Sequence, residues 1–314
     1  MIEFANQNIW TGRFDDEDGE SGLRWHQVIQ TQTFDNLRSV QEPHIALLGF
    51  RSDEGVRRNK GRVGAKNAPD FIRKACTNLP YSKEKQIPIS DFGNVVCEET
   101  DLESARKQQI ESVSELLQKK YFPIILGGGH ETALGNYLAL ADNFEDIGIV
   151  NIDAHYDLRI PVEGSTSGTP FFEMAHFCQE NNREFHYFCV GIQPTGNTEA
   201  LFHRANELNV ETVLADEIHS DLKQTLHQLE KFLEKHSVIY LSLDLDVLDG
   251  AFAPGVSAPC ANGLTPFQVK SIIQKIIQSN KIKLFDVVEL NPEFDQDNRT
   301  AKLAAHFLQE FTKA

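Results

Sequence analysis

Residues 147–157 read IGIVNIDAHYD. A short run rich in isoleucine and valine reads as a strand buried on both faces, as in a parallel sheet. Asp153, His155 and Asp157 then follow at alternate positions, which in an extended chain turns all three side chains the same way. Two further segments repeat the plan. Residues 122–131, FPIILGGGHE, carry an apolar strand into three glycines and His130; residues 238–249, VIYLSLDLDVLD, end a strand on Asp244 and Asp246 at the same spacing. Taken singly, each has an ordinary explanation: a histidine after a strand is most often a hydrogen-bonded core residue, and a DxD is often a strand end turning into solvent. Taken together, four carboxylates and two imidazoles converge at strand ends, where open α/β sheets bind ligands. Carboxylates that close repel one another unless a cation or a proton neutralises them. Six donors without a thiolate exceed a closed tetrahedral zinc site and suit a pair of manganese ions.

Outward from these segments, short apolar runs alternate with helical patterns, the rhythm of a βα fold. Strands are expected at 44–50, 87–91, 122–126, 147–152, 184–191, 211–214, 238–243 and 282–289. A capping box of Thr100 and Glu103 starts a helix running to Lys119, and Thr265, Pro266 and Gln268 start another through residues 269–278. Residues 220–235 and 299–312 read as further helices. No linker, fixed-period repeat or low-complexity tract interrupts the chain, so 1–314 is expected to be one domain. Residues 1–43 stand apart as an arm; their Trp10 and Trp25 call for burial against it.

The chain has 314 residues, with 30 basic and 46 acidic side chains, a net charge of −16. That balance speaks against nucleic acid, whose binding rests on a basic footprint. Five cysteines, none in a CxxC pair, fit reduced thiols better than a disulfide framework. The polar, acidic N-terminus lacks a signal-peptide core, and no apolar run reaches the roughly 18 residues of a membrane span. A cytoplasmic protein with no membrane partner is expected, and a homo-oligomer is left open.

GGGH, DAHYD and SLDLDVLDGAFAPG, in this order, resemble the three signature blocks of the ureohydrolases, the arginase and agmatinase superfamily. The resemblance covers residues 44–314. It implies a three-layer α/β/α fold with an eight-stranded parallel sheet and two Mn²⁺ per chain. One ion would take His130 and Asp157 and the other His155 and Asp246, with Asp153 and Asp244 bridging them. Ser242 and Asp249 would support the third block. Where arginases and agmatinases have a histidine shortly after the second block, this chain reads Ser167-Gly168-Thr169-Pro170-Phe171. DAHYDLR with SGTPF, WTGRFDDEDG, RWHQ and DEGVRRNKGRVGAKNAP look instead like the branch that hydrolyses N-formimidoyl-L-glutamate in histidine degradation, releasing formamide and L-glutamate.

The local charges agree with a dicarboxylate substrate. Arg57, Arg58, Lys60 and Arg62 place four cations in six residues of an acidic chain; Arg57 and Arg62, with Arg159 and Ser167, are the expected substrate contacts. Glu289, after the 282–288 strand, would hold the amidine by charge-assisted hydrogen bonds, and Asp157 would aim the attacking water. Alternatives are another amidinohydrolase (agmatinase, guanidinobutyrase or arginase), a single-zinc hydrolase of related fold, and a catalytically inactive regulator or scaffold. The six intact ligands disfavour the last two.

Overall fold

The computed structural model describes residues 1–84 and 86–313. Its strands are β1 (Ile2–Glu3), β2 (Gln30–Thr31), β3 (Ile45–Arg51), β4 (Ile89–Val96), β5 (Phe122–Leu126), β6 (Ile147–Ile152), β7 (His186–Ile192), β8 (Glu211–Leu214), β9 (Val238–Asp244) and β10 (Ile282–Val288). They form one sheet in the order β1-β4-β3-β5-β10-β9-β6-β7-β8, with β2 added on β4. Among the described residues the sheet has ten strands, not the expected eight. The surplus comes from the first 43 residues: β1 pairs antiparallel and β2 parallel with β4, while the other pairings are all parallel.

The central strands divide their side chains between two helix layers at the period of two. In β6, Ile147 and Ile149 enter one apolar cluster and Val150 and Ile152 the other. The first cluster is closed by helices Leu102–Gln118, Thr132–Ala141, Pro170–Glu180 and Glu199–Glu207, and the second by Ala68–Cys76, Leu222–Lys235, Pro266–Ile277 and Arg299–Glu310. The result is the expected helix–sheet–helix sandwich.

Two helix starts compare differently with their sequence reading. Thr265 and Gln268 form the reciprocal cap, with the Thr265 N–H donating to Gln268 Oε1 at 2.9 Å. At the earlier helix the cap is Asp101, which accepts from Ser104 N at 3.0 Å, and not the Thr100–Glu103 box. Glu103 is drawn away by Arg58 at 2.9 Å, a partner 45 residues distant.

The N-terminal segment is tied down by polar as well as apolar contacts. Trp10 and Trp25 are buried, and Trp10 Nε1 donates to Asp91 Oδ2 at 2.9 Å. The same carboxylate receives Arg73 through two parallel bonds of 2.9 and 2.8 Å, and Arg73 Nη1 donates to Asn94 at 2.7 Å. Removing one member of a buried pair strands the other charge. Arg73→Leu is therefore expected to destabilise the fold by about 3–5 kcal/mol, read as a lower midpoint in urea denaturation.

Candidate metal centre

Strands β5, β10, β9 and β6 are neighbours at the middle of the sheet, and their C-terminal ends deliver the expected residues to one place. After β5 the backbone passes so close to Ser52 that a Cβ on Gly128 would collide with the Ser52 carbonyl oxygen. Only glycine permits that approach, and it sets His130 over the sheet end. Asp157 and Glu289 adopt left-handed backbone, with φ of 49° and 66°. Such conformations cost of order 1–3 kcal/mol each outside glycine, and with Lys60, at a φ of 63°, they occur at three residues of the same cavity.

All six expected ligands meet. His130 Nδ1 lies 3.2 Å from Asp153 Oδ2, 2.9 Å from Asp157 Oδ2 and 3.1 Å from Asp244 Oδ2. His155 Nδ1 lies 3.0 Å from Asp246 Oδ2 and 3.7 Å from Asp153 Oδ1. Ligating atoms therefore fall into two adjoining groups, one of His130, Asp153, Asp157 and Asp244, the other of Asp153, His155 and Asp246. Asp153 belongs to both, one oxygen toward each histidine. Asp244 enters the first group through Oδ2, while its Oδ1 accepts from Asp246 N at 2.8 Å, as Asp153 Oδ1 accepts from the His155 N–H at 2.7 Å.

The hydrogen-bond chain behind His130 tests whether this cluster suits a cation. Asp286 accepts from Ser242 Oγ at 2.6 Å, from Asn136 Nδ2 at 2.7 Å and from Tyr240 OH. With its proton directed to Asp286, Ser242 Oγ accepts from His130 Nε2 at 3.0 Å, which assigns the Nε2–H tautomer. His130 Nδ1 is then a buried lone pair with no hydrogen-bond partner, facing three carboxylates. Acceptors alone converge there, and a metal ion is what such a set holds. Ser242 thus supports a ligand directly as well as the third block.

The charges respond to the crowding. Burial and then the negative Asp246 push Asp244 up; burial and then Asp153 do the same to Asp157. Burial disfavours the His130 imidazolium, yet the surrounding Asp153, Asp157 and Asp244 outweigh it and raise its pKa. Glu289 is driven up to about 8, first by burial and then by Glu131. A cluster that must take up protons when metal-free is one that divalent charge would discharge.

A cavity of about 310 Å³ opens over these groups. His155, Asp157, Asp244, Asp246 and Glu289 line its floor, and Arg62, Arg159 and Ser167 reach it as expected. Arg57 does not. It sits on the short helix Glu54–Arg58, where the buried Glu54 carboxylate holds it at 2.6 Å and leaves it 57% exposed. Arg62 lines the cavity with its guanidinium already engaged, by the Ser257 carbonyl at 2.8 Å, the Val256 carbonyl at 2.6 Å and the Phe294 ring face at 3.8 Å. Asn59, Lys60, Asn197 and Ser257 complete the wall and were not among the expected contacts. Arg159 lies against Gly168, where a Cβ would come 2.9 Å from Arg159 Cδ and 3.1 Å from Asn59 Nδ2. Asn59 Nδ2 in turn donates to Ser167 Oγ at 3.1 Å.

The comparisons with known proteins agree with this geometry. Residues 43–313 match the model of the arginase family. A formimidoylglutamase of Aeromonas salmonicida (strain A449) is 44% identical over 99% of this chain and 99% of its own. The crystal structure of formimidoylglutamase from Bacillus subtilis subsp. subtilis str. 168 superposes with a TM-score of 0.82 at 26% identity, covering 96% of this chain and 93% of that one. The formiminoglutamase of Trypanosoma cruzi, solved with two Mn²⁺, gives a TM-score of 0.77 at 25% identity over 88% of this chain and 95% of its own.

Proposed function

The chain belongs to the arginase family, and from that premise we propose that it hydrolyses N-formimidoyl-L-glutamate to L-glutamate and formamide at a binuclear manganese centre, a step of histidine degradation. The observation that carries this reading is a six-ligand cluster opening into a cavity lined by Lys60, Arg62 and Arg159, in a chain 42–44% identical over nearly its whole length to curated formimidoylglutamases. His130, Asp157, Asp153 and Asp244 would hold one ion, and Asp153, His155 and Asp246 the other. Imidazole with several carboxylates suits Mn²⁺. When bound, the pair supplies a nucleophile from water at neutral pH and Lewis acidity at the reacting carbon.

The protein's own groups do the rest. Asp157 accepts a hydrogen bond from the attacking water through the carboxylate oxygen not turned to His130, and so fixes its line of approach. Glu289 receives the N–H groups of the formimidoyl cation; its other oxygen is already held by the His130 N–H at 2.8 Å, so its orientation is set before substrate arrives. As the carbon becomes tetrahedral, the proton taken up at Asp157 passes to the departing α-nitrogen, the C–N bond breaks, and glutamate leaves as the amine. With Ser167 in place of a shuttle histidine, Asp157 or solvent must carry that proton.

At the rim, Arg159 and Lys60 supply the charge for the substrate carboxylates, with Asn59 and Ser167 as neutral partners. Arg62 acts as a strut for the 256–258 wall. No helix among the described residues is long and apolar enough to cross a membrane; a small dicarboxylate is the partner expected in the cytoplasm. Arg159→Ala is expected to raise KM about ten- to a hundredfold with kcat and metal content nearly unchanged, the loss of one charge-assisted contact worth about 1.5–3 kcal/mol. Unchanged kcat/KM in that variant would remove Arg159 from the substrate grip. Product analysis tests the reaction itself: one equivalent of formamide per glutamate is expected, and ammonia with N-formylglutamate would mean the other C–N bond is cleaved.

A further inference from the structure

A second cluster of ligating side chains stands at the opposite end of the sheet. Asp146 precedes β6, His186 opens β7 and His236 lies two residues before β9. Because β9, β6 and β7 are consecutive in the sheet, their N-terminal ends bring the three together. One ligating atom of each lies within 4.8 Å of the other two. Asp146 Oδ1 is 2.9 Å from His236 Nδ1, while Oδ2 accepts from the Ser237 N–H at 2.9 Å and the Ser237 hydroxyl at 3.2 Å. The His186 and His236 rings lie 4.4 Å apart. His236 is buried between the Phe232 ring, 4.7 Å away, and Gly148, where a Cβ would come 2.7 Å from His236 Cδ2. Glu184 Oε2 sits 3.3 Å from His186 Nε2.

We propose that Asp146, His186 and His236 form a third, mononuclear metal site for a borderline transition ion such as Zn²⁺, separate from the manganese pair. Two imidazoles and one carboxylate are a set that zinc accepts with a fourth position left to water or Glu184. Ligand bonds of about 2.0–2.2 Å need donors roughly 3.4 Å apart in a tetrahedron. The Asp146–His236 pair is already inside that spacing, and His186, only partly buried, closes the rest by a side-chain rotation. Ser237 orients the carboxylate from behind, as outer partners of metal ligands do. The ligand balance also separates the two centres: imidazole-rich donors favour Zn²⁺ over Mn²⁺, whereas the four carboxylates of the first cluster favour the harder ion. An ion here would pin the start of β6 and β9, the strands whose far ends carry Asp153 and Asp244.

The test uses the manganese-loaded protein, dialysed against micromolar Zn²⁺ and assayed for total bound divalent metal and for thermal unfolding. Three ions per chain are expected in the parent, and two in His186→Gln and in Asp146→Asn, whose hydrolytic activity before zinc addition stays at the parent level. Zinc exchanging into the manganese site leaves each total unchanged, so the difference isolates the third site. Zinc is also expected to raise the parent's Tm by a few degrees more than that of either variant. Equal metal totals in parent and both variants would overturn the proposal, leaving a hydrogen-bonded His–Asp pair only. So would an equal zinc-induced Tm shift in all three.

Discussion

Asp153→Ala should strip both ions from the protein and reduce turnover by at least about 10³-fold, about 4 kcal/mol of barrier. Asp153 is fully buried, and its two oxygens face different histidines, at 3.2 Å from His130 and 3.7 Å from His155. Asn151 Nδ2 at 2.9 Å and the His155 N–H at 2.7 Å hold the carboxylate between the two histidines. Its loss removes a ligand from each group at once. Asp244→Ala, whose side chain joins only the His130 group, should empty that site and leave the other partly occupied. Metal content by atomic emission distinguishes the two variants. Two ions retained in Asp153→Ala would dismiss the bridge.

Glu289→Gln should keep both ions and lose about 10²–10³-fold in kcat, with a much smaller change in KM. The amide preserves the acceptor for the His130 N–H, and with it the backbone turn at a φ of 66°. What disappears is the negative charge opposite the amidine, which matters most as the carbon becomes tetrahedral. Equal damage to kcat/KM through KM alone, measured by initial rates on metal-saturated protein, would make Glu289 a ground-state binding group.

The candidate metal ligands were legible because histidine and aspartate recur at the ends of three apolar strands. The period of two did not place them: β6 stops at Ile152, Asp157 takes a left-handed φ of 49°, and Asp246 lies on the short helix Leu245–Val247. The roles of supporting residues depend on register, which the spacing does not disclose. Ser242 and Asp286 are cross-strand partners of β9 and β10, and only that pairing aligns Asp286, Ser242 and His130 into one hydrogen-bonded chain. The basic 57–62 loop shows the same limit on a smaller scale. Four cations in six residues marked the segment as a source of substrate contacts. Lys60 and Arg62 both line the cavity, but Glu54 holds Arg57 outside it and the Ser257 carbonyl engages Arg62. The two extra strands were missed because two-residue strands carry no periodicity; β4, to which they pair, supplies their order.

The substrate is tested most directly by comparing turnover of one amidine and three guanidines. The Mn²⁺-loaded protein is incubated in parallel with N-formimidoyl-L-glutamate, L-arginine, agmatine and 4-guanidinobutyrate, and kcat/KM is obtained for each from product release. Formimidoylglutamate is expected to exceed every other compound by at least about 10²-fold, because it alone offers two carboxylates to Arg159 and Lys60 with a formimidoyl group at the metal cluster. Agmatine or arginine turned over as fast as formimidoylglutamate would contradict that substrate assignment.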